Sequence, residues 1–299
     1  MRLAVLTTCL TLTAVPSASG QAPGATTVAD LLAARAPAPT HRLSYGADSL
    51  QFGHLRLPPG PGPFPVVVFV HGGCWLSQFT IGHAGALEQG LADAGFAVWS
   101  LEYRRVGDPG GGWPNTFGDV ARGTDFVREL AGRFPLDLAR VIASGHSAGG
   151  QLALWLAGRP RIPRSSELWT EDPIPIAGVL ALAPAPDLAG LHDRAVCGSV
   201  IDKLMGGSPT DRPERYRAAS PMDLVPIGVP QRLVVGALDR DWGPVGRRYY
   251  ERAQAAGDHG AVIVEAPESG HLDMILPSTT SWPLVLETLR SLVPPPPSR

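Results

Sequence analysis

The chain has 299 residues, 44% of them hydrophobic and 17% charged, which is enough apolar material for one large core and suits a single α/β domain better than two. Its 25 basic and 27 acidic residues leave a formal net charge of −2 and no basic stripe, which argues against nucleic acid as a partner. Beyond the N-terminal apolar stretch, no run is long enough to span a bilayer.

The N-terminus reads as a secretory signal over residues 1–20. Arg2 supplies the positive start, Leu3 to Val15 the apolar stretch, and Ala18, Ser19 and Gly20 a small-residue cleavage site before Gln21. The alternative is an apolar leader without that role. The signal implies a secreted or periplasmic protein, and cleavage discards Cys9. Residues 21–39 are expected to form an N-terminal extension, and residues 40–293 the folded domain.

From Thr40 to Pro58 apolar residues alternate on either side of Gly46-Ala47-Asp48, the pattern of an antiparallel hairpin. A buried strand follows at 65–70, then a helix at 80–94, a strand at 96–103, a helix at 116–131, a strand at 140–145 and a helix at 147–158. The order continues with strands at 176–182 and 231–237, a helix at 244–256, a strand at 261–266 and a helix at 280–292. This alternation predicts a mostly parallel eight-stranded sheet with helices on both faces. Residues 104–115 are too rich in Gly and Pro for an element, residues 184–228 read as a small helical cap, and residues 294–299 as a disordered tail.

Gly145-His146-Ser147-Ala148-Gly149 lies between an apolar strand-like run and a helix-like run. A serine at such a strand-to-helix turn has its hydroxyl thrust clear of the backbone, and the flanking glycines fit where a side chain would collide. The motif is weak alone in a chain with 35 Gly, so its surroundings carry the reading. Upstream, His71-Gly72-Gly73-Cys74-Trp75 closes a strand with a glycine-rich turn. Downstream, Asp239 follows one strand and His271 a later one.

A neutral hydroxyl is a poor nucleophile, so Ser147 requires a base, for which His271 is the candidate; His71 and His146 sit inside tight turns and fit worse. A carboxylate must hold the imidazole tautomer, and Asp239 is favoured over Asp241, two residues on. Asp273 is expected to cap or solvate the histidine loop. An oxyanion would be met by the N–H groups of Gly72, Gly73 and Ala148. Trp75 and Trp113 are expected to wall the substrate site, with core packing as the alternative, and Glu102 to be structural. Cys74 and Cys197 remain after removal of the leader, and either form a disulfide or stay as separate buried thiols. No histidine or cysteine spacing suggests a metal, and no cofactor is implied.

These segments, with Glu102-Tyr103-Arg104 and Gly270-His271, resemble the esterase and lipase branch of the α/β-hydrolase superfamily, especially kynurenine-formamidase-like and feruloyl-esterase-like bacterial hydrolases. The resemblance covers about residues 40–292 and implies Ser147 as nucleophile, Asp239 as acid and His271 as base, in the order found in that superfamily. One departure is Cys74, which stands where the hormone-sensitive-lipase turn has a third glycine; this favours the formamidase-like branch. The expected activity is cleavage of small or medium-sized carboxylic esters through an acyl-enzyme. An aryl formamidase, a peptidase and a non-catalytic binding protein are the competing readings.

Overall fold

The computed structural model describes residues 26–295, so the expected signal segment and Cys9 lie outside the described residues, as do the last four residues of the expected tail. Eight strands form one sheet: β1 His41–Ser44, β2 Phe52–Arg56, β3 Phe64–Val70, β4 Ala97–Leu101, β5 Leu136–His146, β6 Gly178–Leu182, β7 Gln231–Gly236 and β8 Ala261–Ala266. Their spatial order is β1-β2-β4-β3-β5-β6-β7-β8. The pairs β1–β2 and β2–β4 are antiparallel, and every other neighbour is parallel. This is the α/β-hydrolase fold.

The helices in chain order are α1 Val28–Ala33, α2 Gly85–Asp93, α3 Asn115–Asp125, α4 Val127–Ala131, α5 Ala148–Gly158, α6 Leu188–Asp193, α7 Val200–Met205, α8 Pro213–Ala219, α9 Pro221–Leu224, α10 Gly243–Ala255 and α11 Trp282–Arg290. They cover both faces of the sheet. On β3, Val66, Val68 and Val70 enter one core with residues of α3, α4, α5 and α10, while Val67 and Phe69 enter a second with residues of α1, α2 and α11. Burial on both faces explains why the central strands read as continuous apolar runs rather than alternating ones. Every residue of α5 is buried, as expected of a helix that is apolar all round and packed between sheet and cap.

Two expected boundaries shift. The helix expected at 116–131 is divided at Phe126 into α3 and α4. Near the break, Thr124 Oγ1 donates back to the Val120 carbonyl at 2.7 Å, a bond that bends helices. The adjoining Asp125 carboxylate accepts both Arg159 Nη groups, at 2.8 and 2.7 Å. Strand β5 begins earlier than expected, because Leu136 and Asp137 pair with Phe64 and Pro65 before a register shift at Pro65/Val66. Helices α6 to α9 lie between β6 and β7, in the stretch read as the cap.

Candidate active site

Ser147 joins β5 to α5 with φ 56° and ψ −117°, a conformation that a non-glycine residue holds only when its surroundings compel it. The compulsion comes from close packing: a Cβ on Gly149 would fall 1.9 Å from the Val70 carbonyl oxygen and 2.6 Å from that of His71. The Ser147 N–H bonds the Leu182 carbonyl at 2.9 Å, and its own carbonyl accepts from Gln151 and Ala185. The position of Ser147 is thereby fixed from β6 and from α5.

His271 and Asp239 meet at the ends of adjacent strands. His271 Nδ1 and Asp239 Oδ2 are 2.8 Å apart, while the Trp242 N–H donates to the other carboxylate oxygen at 3.0 Å. The two loops are laced together by Leu238 N–H to the Ser269 carbonyl at 3.0 Å. Asp273 Oδ2 accepts the Gly270 N–H at 2.6 Å, and its Oδ1 accepts from Thr26, so this carboxylate pins the histidine loop. Asp241 is exposed, and it is Asp239 that reaches the imidazole. With Nδ1 turned to Asp239, Nε2 is the ring nitrogen left for a proton from Ser147. The Ser147–His271 hydrogen bond itself is not formed among the described residues; such bonds often tighten only when substrate binds.

His146 locks the remaining degree of freedom. Its Nε2 lies 2.8 Å from the His271 carbonyl oxygen, and the two rings are 4.6 Å apart. Burial, and next the neighbouring charge of His271, hold the His146 imidazole well below the ordinary histidine pKa. A neutral His146 with its Nε2–H given to a carbonyl is a strut for His271.

The turn after β3 packs directly on the elbow. A Cβ on Gly72 would lie 2.6 Å from the His146 carbonyl oxygen and 3.3 Å from Ser147 Cβ, so only glycine allows this approach. The amide N–H groups of Gly72, Gly73 and Ala148 make no hydrogen bond among the described residues. Below the turn, His71 Nδ1 contacts the Gly72 carbonyl oxygen at 2.8 Å and its Nε2 contacts Glu102 Oε1 at 3.0 Å, while Tyr103 O–H donates to the His71 carbonyl at 2.9 Å. Burial pushes the Glu102 carboxyl up, but the His71 hydrogen bond and charge, Arg105 and the Ile81 N–H together hold it below the ordinary glutamate pKa. Glu102 is thus a buried anchor for the turn.

The expected role of Trp75 requires correction. Its side chain is only 1% exposed and its Nε1–H donates to Gln151 Oε1 at 3.1 Å, so the ring belongs to the core and walls no substrate site. The reason is its backbone: Cys74 and Trp75 have φ 51° and 53°, and two successive left-handed residues turn the ring inward. Trp113 is half-buried, donates Nε1–H to Glu167 at 2.8 Å and lies under the Arg215 guanidinium, linking its loop to the cap rather than touching the triad. The aromatic residue on the triad is Trp242, stacked on His271 with centroids 5.1 Å apart and planes at 22°. Its N–H bonds the Asp239 carboxylate three residues earlier in the loop before α10, and no local sequence signal places its ring on the imidazole. Gln151 was also missed; it joins Trp75 to the Ala219 carbonyl of the cap.

Cys74 and Cys197 form a disulfide with Cα atoms 6.0 Å apart, tying the glycine turn to the loop between α6 and α7. Among the described residues, no group of three or more His, Cys, Asp or Glu side chains could hold a metal ion, and no helix is long and apolar enough to cross a membrane.

Comparison with known proteins places the chain among esterase-like relatives. The BD-FAE family model matches residues 55–240. Esterase LipC of Mycobacterium tuberculosis is 27% identical over 243 residues, spanning 77% of this chain and 59% of LipC. The probable isoprenylcysteine alpha-carbonyl methylesterase ICMEL2 of Arabidopsis thaliana is 27% identical over 237 residues, 74% of this chain and 54% of that protein. The chain therefore spans little more than half the length of these relatives. Esterase B from Lactobacillus Rhamnosis superposes with a TM-score of 0.70 at 20% identity, covering 87% of this chain and 88% of that one, a likeness of fold.

Proposed function

The chain belongs to the BD-FAE family, and on that premise we propose that it is a serine hydrolase cleaving small or medium-sized carboxylic esters through an acyl-enzyme. The observation that carries the reading is the 2.8 Å Asp239–His271 pair standing beside a serine held at φ 56°. His271 Nε2 takes the hydroxyl proton as Ser147 Oγ attacks the ester carbonyl, and Asp239 stabilises the imidazolium that results. The carbonyl oxygen, now an anion, is met by the N–H groups of Gly72, Gly73 and Ala148; each such donor contributes about 3 kcal/mol to the transition state. The imidazolium returns its proton to the departing alkoxide, leaving an ester on Ser147. Water then attacks this acyl-enzyme with the same base, and the tetrahedral adduct collapses to carboxylic acid and free serine.

A secreted or periplasmic setting is supported by the leader of residues 1–20 and by the Cys74–Cys197 disulfide, since such bonds persist in oxidising compartments. The decisive experiment is turnover of p-nitrophenyl esters of graded acyl length by the protein and by Ser147→Ala. A fall on the order of 10⁴ or more in the variant is expected. Equal rates in the two proteins on every ester would refute the reading.

A further inference from the structure

The imidazole of His271 meets two rings of different kinds. The His146 ring is tilted against it at 52° with centroids 4.6 Å apart, whereas the Trp242 indole lies nearly parallel to it, at 22° and 5.1 Å. His146 is a neutral imidazole whose Nε2–H is given to the His271 carbonyl, so the electron-rich face belongs to the indole. The backbone beneath that indole is fixed without help from its side chain. The Trp242 N–H donates to Asp239 Oδ1 at 3.0 Å, its carbonyl accepts from Val245 at 2.9 Å and Gly246 at 3.2 Å, and the Gly243 N–H returns to the Asp239 carbonyl at 3.1 Å. The segment that carries the carboxylate to one edge of the imidazole thus delivers the indole, three residues on, to its face.

When Ser147 Oγ attacks, its proton passes to Nε2, and the ring holds a positive charge until that proton leaves with the alcohol. Water can do little for this charge, because the His271 side chain is only 17% exposed. Asp239 Oδ2, 2.8 Å from Nδ1, meets it at one edge. A second source is the negative face of an indole, the aromatic side chain that attracts a cation most strongly within about 6 Å of its centroid. The other titratable groups on the surrounding segments are engaged elsewhere, exposed or uncharged. Asp273 is bonded to Gly270 and Thr26, and Arg240, Asp241 and Glu268 are exposed. On the elbow side His146, and His83 which acts on it, are held neutral by burial, His83 down to about 4.

We propose that Trp242 is a positioning residue for the hydrolysis, its indole face stabilising the His271 imidazolium that forms in each proton transfer. This rests on the ester-hydrolase reading and adds to it a second support for the base beside Asp239. An indole that served only as an apolar cover would act in the opposite sense, because desolvation by itself disfavours the charged ring. The sign of the change on removing the indole therefore separates the two roles.

The test is the pH dependence of kcat/KM on p-nitrophenyl butyrate in the parent, Trp242→Phe and Trp242→Leu. Loss of the indole face should move the midpoint of the acid limb down by about 0.5 to 1 unit in Trp242→Leu, with Trp242→Phe between the two. The plateau should fall about threefold to tenfold, through kcat rather than KM. A midpoint that stays in place or rises in Trp242→Leu would overturn the proposal. If Trp242→Leu does not fold, protein in which all seven tryptophans are 5-fluorotryptophan keeps the packing while fluorine withdraws π density from the ring. Its midpoint should move down relative to the unlabelled parent, with no such shift when Trp242→Phe is labelled in the same way; equal midpoints for labelled and unlabelled parent would overturn the proposal. A parent that hydrolyses no p-nitrophenyl ester would instead refute the ester-hydrolase reading. NMR titration of the His271 Cε1–H, assigned by its loss in His271→Gln, then decides the role of the indole alone: a midpoint lower in Trp242→Leu than in the parent supports it, and an equal or higher one refutes it.

Discussion

Reducing the Cys74–Cys197 bond removes one covalent constraint and leaves every side chain in place. The bond closes a sequence separation of 123 residues. In the chain-entropy account, a loop of that size restricts the unfolded chain enough to stabilise the fold by about 4.9 kcal/mol. The native state should keep its geometry at the turn, because other contacts hold it: Trp75 Nε1–H to Gln151, the Leu76 N–H to the Gly73 carbonyl at 2.9 Å, and the Val106 N–H to the Trp75 carbonyl at 2.9 Å. The cap is also anchored by buried Leu188, Leu191, Val200 and Ile201 on either side of Cys197. The reduced protein should therefore lose about 4 to 5 kcal/mol of unfolding free energy, while its kcat on p-nitrophenyl acetate falls less than about tenfold, under 1.4 kcal/mol of barrier. Urea unfolding with and without dithiothreitol, followed by tryptophan fluorescence, measures the first quantity. Steady-state assays under the same conditions measure the second. A stability change below about 1 kcal/mol would refute the loop-closure argument, and a collapse of kcat in a still-folded protein would show that the bond, not the hydrogen bonds, maintains the turn.

Asp239→Asn keeps the shape of the carboxylate but presents either an amide N–H or a carbonyl to His271 Nδ1, while the Trp242 N–H at 3.0 Å still seeks the acceptor. That preference turns the amide nitrogen toward the imidazole and enforces the wrong tautomer, so kcat on p-nitrophenyl butyrate should fall about 10³- to 10⁴-fold with little change in KM; a loss below tenfold would remove Asp239 from the triad. Stability should also fall on acidification. His146 and His83 have folded pKa values depressed by burial, His83 to about 4, so both stay neutral in the fold while the unfolded chain takes up protons below its ordinary histidine value of 6.5. Stability is thus fully present above that value and lost below it, by about 1 kcal/mol per histidine between pH 7 and 5.5. Glu88 and Asp223, raised by burial, take up protons in the fold before the unfolded chain does and so oppose the loss. Urea midpoints that do not move between pH 7 and 5.5 would contradict this account.

How much of the protein was legible in advance depended on the range of the interactions concerned. The elbow, the glycine turn and the strand-helix alternation were readable because each is a local matter: apolar runs at strand and helix periods, and glycines where backbone approaches backbone, as at Gly149. The order Ser147, Asp239, His271 followed from where those elements end. Residues whose roles depend on what they meet across the fold were not readable. Trp75 went to the core because two left-handed residues turn it onto Gln151, 76 positions away in the chain. Trp242, rather than Trp75 or Trp113, came to lie on the base, and His146 became its strut across 125 positions. The split of the expected helix at Phe126 likewise followed a partner in another element, Arg159, bound by Asp125. The sequence by itself determined the fold class and the chemical types at the site, since backbone sterics and hydrophobic period act over a few residues. Only the tertiary structure decided which Asp, which Trp and which Cys pairing serve the site, because those choices rest on contacts between segments whose separation no local pattern encodes.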